Sequence, residues 1–218
     1  MYDYAAARTN MVEGQIRPNK VTDHRLVEAL LDIPREVFVP KAARGIAYVD
    51  EDIAVGNGRY LMEPMVFARM LQEVGVEESD VVLDIGCGTG YSTAVLGKLG
   101  ATVVGIESDA ELAQRATQAL AEVGIDNAVV ITAPLVEGYP AQAPYDVIVI
   151  EGLVAEVPDA ITAQLAEGGR LIAAVHGDRG VGEVKLFQRV GGIVSGRVLF
   201  EAQPRQLPGF EPKPKFVF

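Results

Sequence analysis

The stretch Val81-Val82-Leu83-Asp84-Ile85-Gly86-Cys87-Gly88-Thr89-Gly90-Tyr91-Ser92 constrains the chain more than any other. Its apolar opening predicts a strand buried on both faces, closed by an acidic residue. Glycines 86, 88 and 90 alternate with small residues before a helix pattern begins near Tyr91. Glycine is required where backbone turns sharply or lies directly against a ligand. Amides at a helix N-terminus favour a carboxylate or another anion.

A dinucleotide turn of the form Gly-x-Gly-x-x-Gly would place its third glycine at position 91, which is Tyr91. The observed Asp-x-Gly-x-Gly-x-Gly instead resembles the first motif of class I methyltransferases, which bind S-adenosylmethionine (SAM). The next strand pattern, Ala101-Thr102-Val103-Val104-Gly105-Ile106-Glu107, ends in an acid about twenty residues beyond the loop. Folds of this kind hold the ribose hydroxyls at that position. Ser108-Asp109-Ala110-Glu111 reads as a capping box opening an amphipathic helix to about Val123. Strand, glycine loop, helix, strand, acid and helix make one ordered unit for a nucleoside-bearing cofactor.

Composition narrows the class. The 218 residues suit one large domain or a domain with an appended region, and 49% hydrophobic content supports a substantial core. A net charge of −11 argues against a phosphate-neutralising surface, so no nucleic acid is expected as partner. A single cysteine excludes a disulfide framework. Met1-Tyr2-Asp3-Tyr4 opens no signal peptide, and no apolar run is long enough for a membrane span, so a cytoplasmic protein is expected.

Along the chain, helices are expected from about Asp3 to Gly14, from Thr22 to Leu31 and from Met65 to Val74. Gly56–Pro64 reads as a glycine-punctuated extended loop. Later strands are expected over Asn127–Thr132, Asp146–Ile150 and Arg170–Val175, with a helix over Pro158–Ala166 stopped by Gly168-Gly169. Gly177–Gly182 reads as a polar turn. Glu183–Val190 and Ile193–Ala202 pair across Gly191-Gly192. The tail from Pro204, with Pro208, Pro212 and Pro214, is expected to be extended, its end Phe216-Val217-Phe218 packing back on the body or on a partner. His24, His176 and Cys87 have no metal-ligand spacing, and the acidic run Asp50-Glu51-Asp52 reads as a solvated turn, so no metal is expected.

Several phrases resemble the protein-L-isoaspartate (D-aspartate) O-methyltransferase family in consistent order. They are Met11-Val12-Glu13-Gly14-Gln15-Ile16, Pro34-Arg35-Glu36-Val37-Phe38-Val39-Pro40, Tyr48-Val49-Asp50 and Gly56-Asn57-Gly58 leading to Pro64. Ala143-Pro144-Tyr145-Asp146-Val147-Ile148 and the run from Val157-Pro158 to Gly169-Arg170-Leu171 continue the likeness. The resemblance spans roughly residues 8 to 175. It implies an α/β, Rossmann-like class I methyltransferase fold: a mainly parallel, doubly wound sheet with an N-terminal helical extension. Residues 1–78 would form a substrate cap and residues 79–218 the SAM-binding core with C-terminal antiparallel strands, as one integrated domain.

The same resemblance implies SAM-dependent methylation of the α-carboxylate of isoaspartyl residues, with S-adenosyl-L-homocysteine as product and a protein or peptide as partner. It places Asp84, Gly86, Gly88 and Gly90 against the methionine end of SAM, Glu107 at the ribose and Leu135 near adenine. Cys87, Tyr91 and Ser108 are further cofactor-binding candidates. Two positions depart from the family. Met62 aligns with a serine that lies near the accepting carboxylate, and methionine donates no hydrogen bond. Arg59 and Tyr60 are the candidate replacement donors. Ala133-Pro134-Leu135 replaces Gly-Asp-Gly after the third strand, removing a carboxylate that accepts from adenine. The alternatives are a methyltransferase of the same fold with another acceptor, and a non-catalytic SAM-binding or scaffold protein.

Overall fold

Val81–Ile85 is the strand from which the sheet is built outward in both directions. In the computed structural model, which describes residues 2–177 and 180–212, it forms β3. Thr102–Glu107 (β4) and Ala128–Thr132 (β5) lie parallel on one side. Tyr145–Val154 (β6) and Leu165–His176 (β7) lie parallel on the other. Gly182–Val190 (β8) and Ile193–Glu201 (β9) close the far edge antiparallel, giving the seven-stranded order β5-β4-β3-β6-β7-β8-β9. The order reverses between β3 and β6, where open α/β sheets bind ligands at the carboxyl ends of strands.

Alternation along the strands divides the core. Val82, Val103, Val147 and Ile172 face one apolar cluster, and Leu83, Val104, Ile148 and Leu171 face the other. The first cluster receives Tyr4–Met11 (α1), His24–Asp32 (α2), Pro64–Val74 (α3), Tyr91–Leu99 (α4) and part of Ala110–Glu122 (α5). It joins residues on both sides of position 78, so the two parts of the chain share one interior. Among the described residues, the second face carries the four-residue helix Asp159–Thr162 (α6), short 3-10 turns and the chain around Leu207 and Phe210.

Local chemistry explains most boundaries and several departures from expectation. Asp23 caps α2 through Leu26 N, and Asp3 caps α1 through Ala6 N. The first helix continues beyond α1 as a π-helical segment, Val12–Ile16, and a 3-10 turn. The cap of α5 is Asp109, which accepts from Leu112 N, rather than Ser108. Ser108 is instead held by Glu107 Oε1 through both its amide and its hydroxyl. The expected Pro158–Ala166 helix stops at Thr162, because β7 starts earlier than expected, at Leu165, opposite Tyr145. Gln164 fixes that point, donating from Nε2 to the Glu137 and Ala160 carbonyls.

The stretch expected to be an extended loop before α3 is a β-hairpin, Ile53–Gly56 (β1) and Arg59–Leu61 (β2). Asn57 and Gly58 both have positive φ, 49° and 73°, which suits a two-residue hairpin turn. The acidic run beneath it binds backbone rather than solvent alone. Asp52 Oδ1 accepts from Glu63 N at 2.8 Å and Asp50 Oδ1 from Met65 N at 3.0 Å. Residues 178–179 of the polar turn, and the tail from residue 213, lie outside the described residues. No helix among the described residues is long and apolar enough to cross a membrane.

Candidate active site

Three carboxylates come from neighbouring strands at the point where the sheet order reverses. Asp84 is on β3, Glu107 ends β4, and Glu151 is on β6 beyond Ile150. Asp84 is fully buried and its Oδ2 accepts from Ser92 Oγ at 2.7 Å and Thr93 Oγ1 at 2.6 Å. These bonds tie β3 to the first turn of α4. Asp84 Oδ1 has no protein partner. Burial pushes the Asp84 carboxyl up to about 6, against the opposing pull of the Thr93 and Ser92 hydroxyls.

Glu107 is satisfied on both oxygens. Oε2 accepts from Gly88 N at 2.9 Å and Arg59 Nε at 3.1 Å. Oε1 accepts from Ser108 N, Ser108 Oγ and Asp109 N. Glu151 is the opposite case, a half-buried residue whose buried Oε1 has no partner. Burial, followed by the nearby Asp84 charge, raises its carboxyl well above the carboxylate range, while Arg59 and Arg35 oppose the shift.

The glycine turn forms as expected, with Gly86 at φ 82° and Gly90 at φ 94° capping α4. What lies against it is protein. A methyl group added at Gly86 would sit 2.8 Å from both Arg59 Nη2 and Leu207 Cδ1. Arg59 reaches there from the hairpin and also donates to the Gly86 carbonyl. Leu207, fully buried, comes from the chain after β9, and its Cβ lies 3.0 Å from the methyl position at Gly152. Burying such a side chain contributes about 1.5–3 kcal/mol. Leu135 is buried in the same cluster as Leu207 and Phe210.

Cys87 is buried beneath the turn, 3.3 Å from the methyl position at Gly105, and burial holds its thiol well above the ordinary range. The Tyr91 side chain is buried between Phe38 and Phe67, packed in the core rather than over the turn. Tyr60 and Met62 line the cleft mouth with Arg59, Asp52, Glu151 and Pro204–Gln206 around a cavity of about 10 Å³. That volume holds about one water molecule. The described residues contain no cluster suited to a metal ion.

Arg35 and Leu207 were not singled out as site residues from the sequence, and Glu151 was placed, with Gly152, at the substrate edge of the fold. Arg35, fully buried, donates from Nε to the Ala47 carbonyl at 2.8 Å and from Nη2 to the Met62 carbonyl at 2.5 Å. Its guanidinium also lies 4.8 Å from the Tyr91 ring centroid. Glu151 had a signal as the charged residue ending an apolar strand, and Leu207 as an apolar residue among prolines.

The sheet order, the glycine turn and the acid ending β4 define a Rossmann-like methyltransferase fold. Comparison with known proteins fixes the family. The profile described as protein-L-isoaspartate(D-aspartate) O-methyltransferase matches residues 6–202. A protein-L-isoaspartate O-methyltransferase of Methanoculleus marisnigri is 38% identical over 186 residues, covering 85% of this chain and 84% of that one. One from Koribacter versatilis is 40% identical over 172 residues, covering 79% and 78%.

A solved protein-L-isoaspartate O-methyltransferase superposes with a TM-score of 0.80 at 27% identity, covering 93% of this chain, which spans 66% of that structure's length. A Plasmodium falciparum structure assigned to the same activity, in complex with S-adenosyl-L-homocysteine, gives 0.79 at 18% identity, covering 95% and 99%. The chain belongs to the protein-L-isoaspartate(D-aspartate) O-methyltransferase family.

The family's cofactor is SAM, and the turn and Glu107 that would hold it are present. The conformation seen here does not accept it. Arg59 and Leu207 occupy the bare face of Gly86, and Glu107 already accepts from five donor groups.

Proposed function

We propose that this protein is a SAM-dependent carboxyl O-methyltransferase of the isoaspartate-repair type, acting on the α-carboxylate of isoaspartyl residues in proteins or peptides. The observation that carries this reading is the complete Asp84–Gly90 turn beside Glu107 in a chain of this family. Support for the substrate comes from the relatives, which carry that activity in their names.

A carboxylate acceptor is already ionised at neutral pH, so no strong general base is required. Orientation is the protein's main contribution. Arg59 and Arg205 are the cationic side chains at the cleft mouth and suit a carboxylate ligand. Asp84 and Glu107 suit the donors and positive charge of the cofactor, and SAM supplies the methyl group in the family's reaction. In this reading the extension before position 79 acts as the substrate cap.

A second reading, the same fold with a different acceptor, is favoured by Met62. Its buried thioether stands at the mouth where the family's serine hydroxyl is expected. Methyl transfer from labelled SAM to an isoaspartyl peptide, with the aspartyl peptide as control, separates the two. Selective labelling of the isoaspartyl peptide supports repair. Labelling of other carboxylates alone supports the second reading.

A further inference from the structure

We infer that residues Pro204–Phe210 are a resident occupant of the cofactor cleft, latched by Arg59, and that a nucleoside cofactor enters only when this segment withdraws. This rests on the SAM-dependent function proposed above.

The segment is built in by backbone bonds. Leu153 N donates to the Arg205 carbonyl and Leu207 N to the Leu153 carbonyl, each at 2.9 Å. Ala155 N donates to the Phe210 carbonyl, also at 2.9 Å. A parallel bridge pairs Leu153 of β6 with Gln206, so the segment continues along β6 beyond the point where its pairing with β3 ends at Ile150. Side chains add further anchors. Gln206 Oε1 meets His176 Nε2 at 2.8 Å, Arg205 N donates to Asp52 Oδ2 at 3.0 Å, and the Arg205 guanidinium lies 5.2 Å from the Tyr60 ring centroid.

Those anchors deliver Leu207 onto Gly86 and Gly152, two glycines with positive φ at the carboxyl ends of β3 and β6. A side chain there uses the bare backbone that a cofactor needs. Arg59 completes the arrangement through charge. The Glu107 carboxylate is fully buried and requires a cation, and Arg59, itself buried, supplies it at 3.1 Å. Cofactor entry therefore requires the plug and the guanidinium to move together. Apparent affinity is reduced by the fraction of molecules in the open state.

The test is calorimetric titration of S-adenosyl-L-homocysteine into the full chain and into Leu207→Ala, with amide hydrogen exchange on the unaltered chain. The variant is expected to bind about tenfold more tightly, because its closed state loses the plug. In the unaltered chain, ligand is expected to speed exchange at the amides of Leu153, Ala155 and Leu207. Equal affinity in both chains with those three amides still protected in the complex overturns the gate while leaving the proposed function standing. Absence of binding by both folded chains overturns the gate and the proposed function together. Should the substitution impair folding, the exchange result alone decides.

Discussion

Arg59 Nε lies 3.1 Å from Glu107 Oε2, with 4% and 0% of the two side chains exposed. The hairpin that carries Arg59 is fastened beside the same element, since Asn57 Nδ2 donates to Asp109 Oδ2 at 2.8 Å. An acid expected to meet ribose hydroxyls is thus paired with the chain's own guanidinium.

The pair's two members differ in what each loses. Without Arg59, Glu107 keeps the Gly88, Ser108 and Asp109 donors. Without the Glu107 carboxylate, Arg59 keeps chiefly the Gly86 carbonyl. Removing one partner of a buried pair costs about 3–5 kcal/mol where the other is stranded. Glu107→Gln is therefore expected to lower unfolding free energy by about 3 kcal/mol or more, and Arg59→Met by less. The double variant should be less destabilised than the sum by at least about 1 kcal/mol. Urea unfolding of the four chains measures this, and strict additivity would show that the two residues act independently.

Asp84 makes stability depend on pH in the direction opposite to that of a salt-bridged acid. Burial raises its carboxyl from 3.8 to about 6, so between these values the folded chain holds a proton that the unfolded chain has released. Its contribution is therefore fully present below the unfolded value, lost as pH rises towards 6, and constant above. A rise of about two units corresponds to about 3 kcal/mol. Asp84→Asn cannot ionise. The stability of the unaltered chain minus that of the variant should fall across pH 4 to 6 and then level off. Unfolding titrations at several pH values test it, and a flat difference would place the ionisation elsewhere.

How much of this was legible in the sequence depended on the range of the interaction. The glycine turn, Glu107 and the antiparallel end of the sheet follow from local spacing, and they formed where expected. Asp109 displaced Ser108 as cap because Glu107 captured the Ser108 hydroxyl, a competition that a motif does not reveal. The hairpin was hidden because Asn57-Gly58 lies between strands of only four and three residues. Leu207 on Gly86 joins positions far apart in the chain, and no periodicity encodes that contact. Arg35 sat within a recognised phrase, yet its role depends on carbonyls from two other segments.

Arg35 is expected to be intolerant of lysine. Its fork reaches the carbonyls of Ala47 and Met62 while its face lies against Tyr91, which joins the N-terminal extension to the hairpin exit and α4. An ammonium is a point charge without that planar fork. Arg35→Lys should lose at least one hydrogen bond from a buried charge, at about 1.5–3 kcal/mol. Thermal unfolding should show a clear decrease in Tm. A melting temperature matching the unaltered chain would mean that lysine satisfies both carbonyls.

Met62 offers the most direct test of the substrate. Its side chain is 5% exposed at the mouth of the cleft, and its carbonyl is already held by Arg35. Met62→Ser shortens the side chain without removing that carbonyl bond and introduces a donor towards the mouth. A hydrogen bond to a charged acceptor contributes about 1.5–3 kcal/mol. On the repair reading, kcat/KM for an isoaspartyl peptide should rise roughly ten- to hundredfold. The lost apolar burial should cost about 2–4 kcal/mol of stability, so activity must be compared well below both melting temperatures. An unchanged or reduced rate on the isoaspartyl peptide, with the variant folded, would mean that Arg59, Tyr60 or Arg205 already orients the carboxylate, or that the acceptor is not isoaspartyl. Repeating the assay with Arg205→Met in the parent chain separates these. Loss of isoaspartyl activity identifies the cation that replaces the hydroxyl, and no isoaspartyl activity in any of the three chains directs the search to other carboxylates.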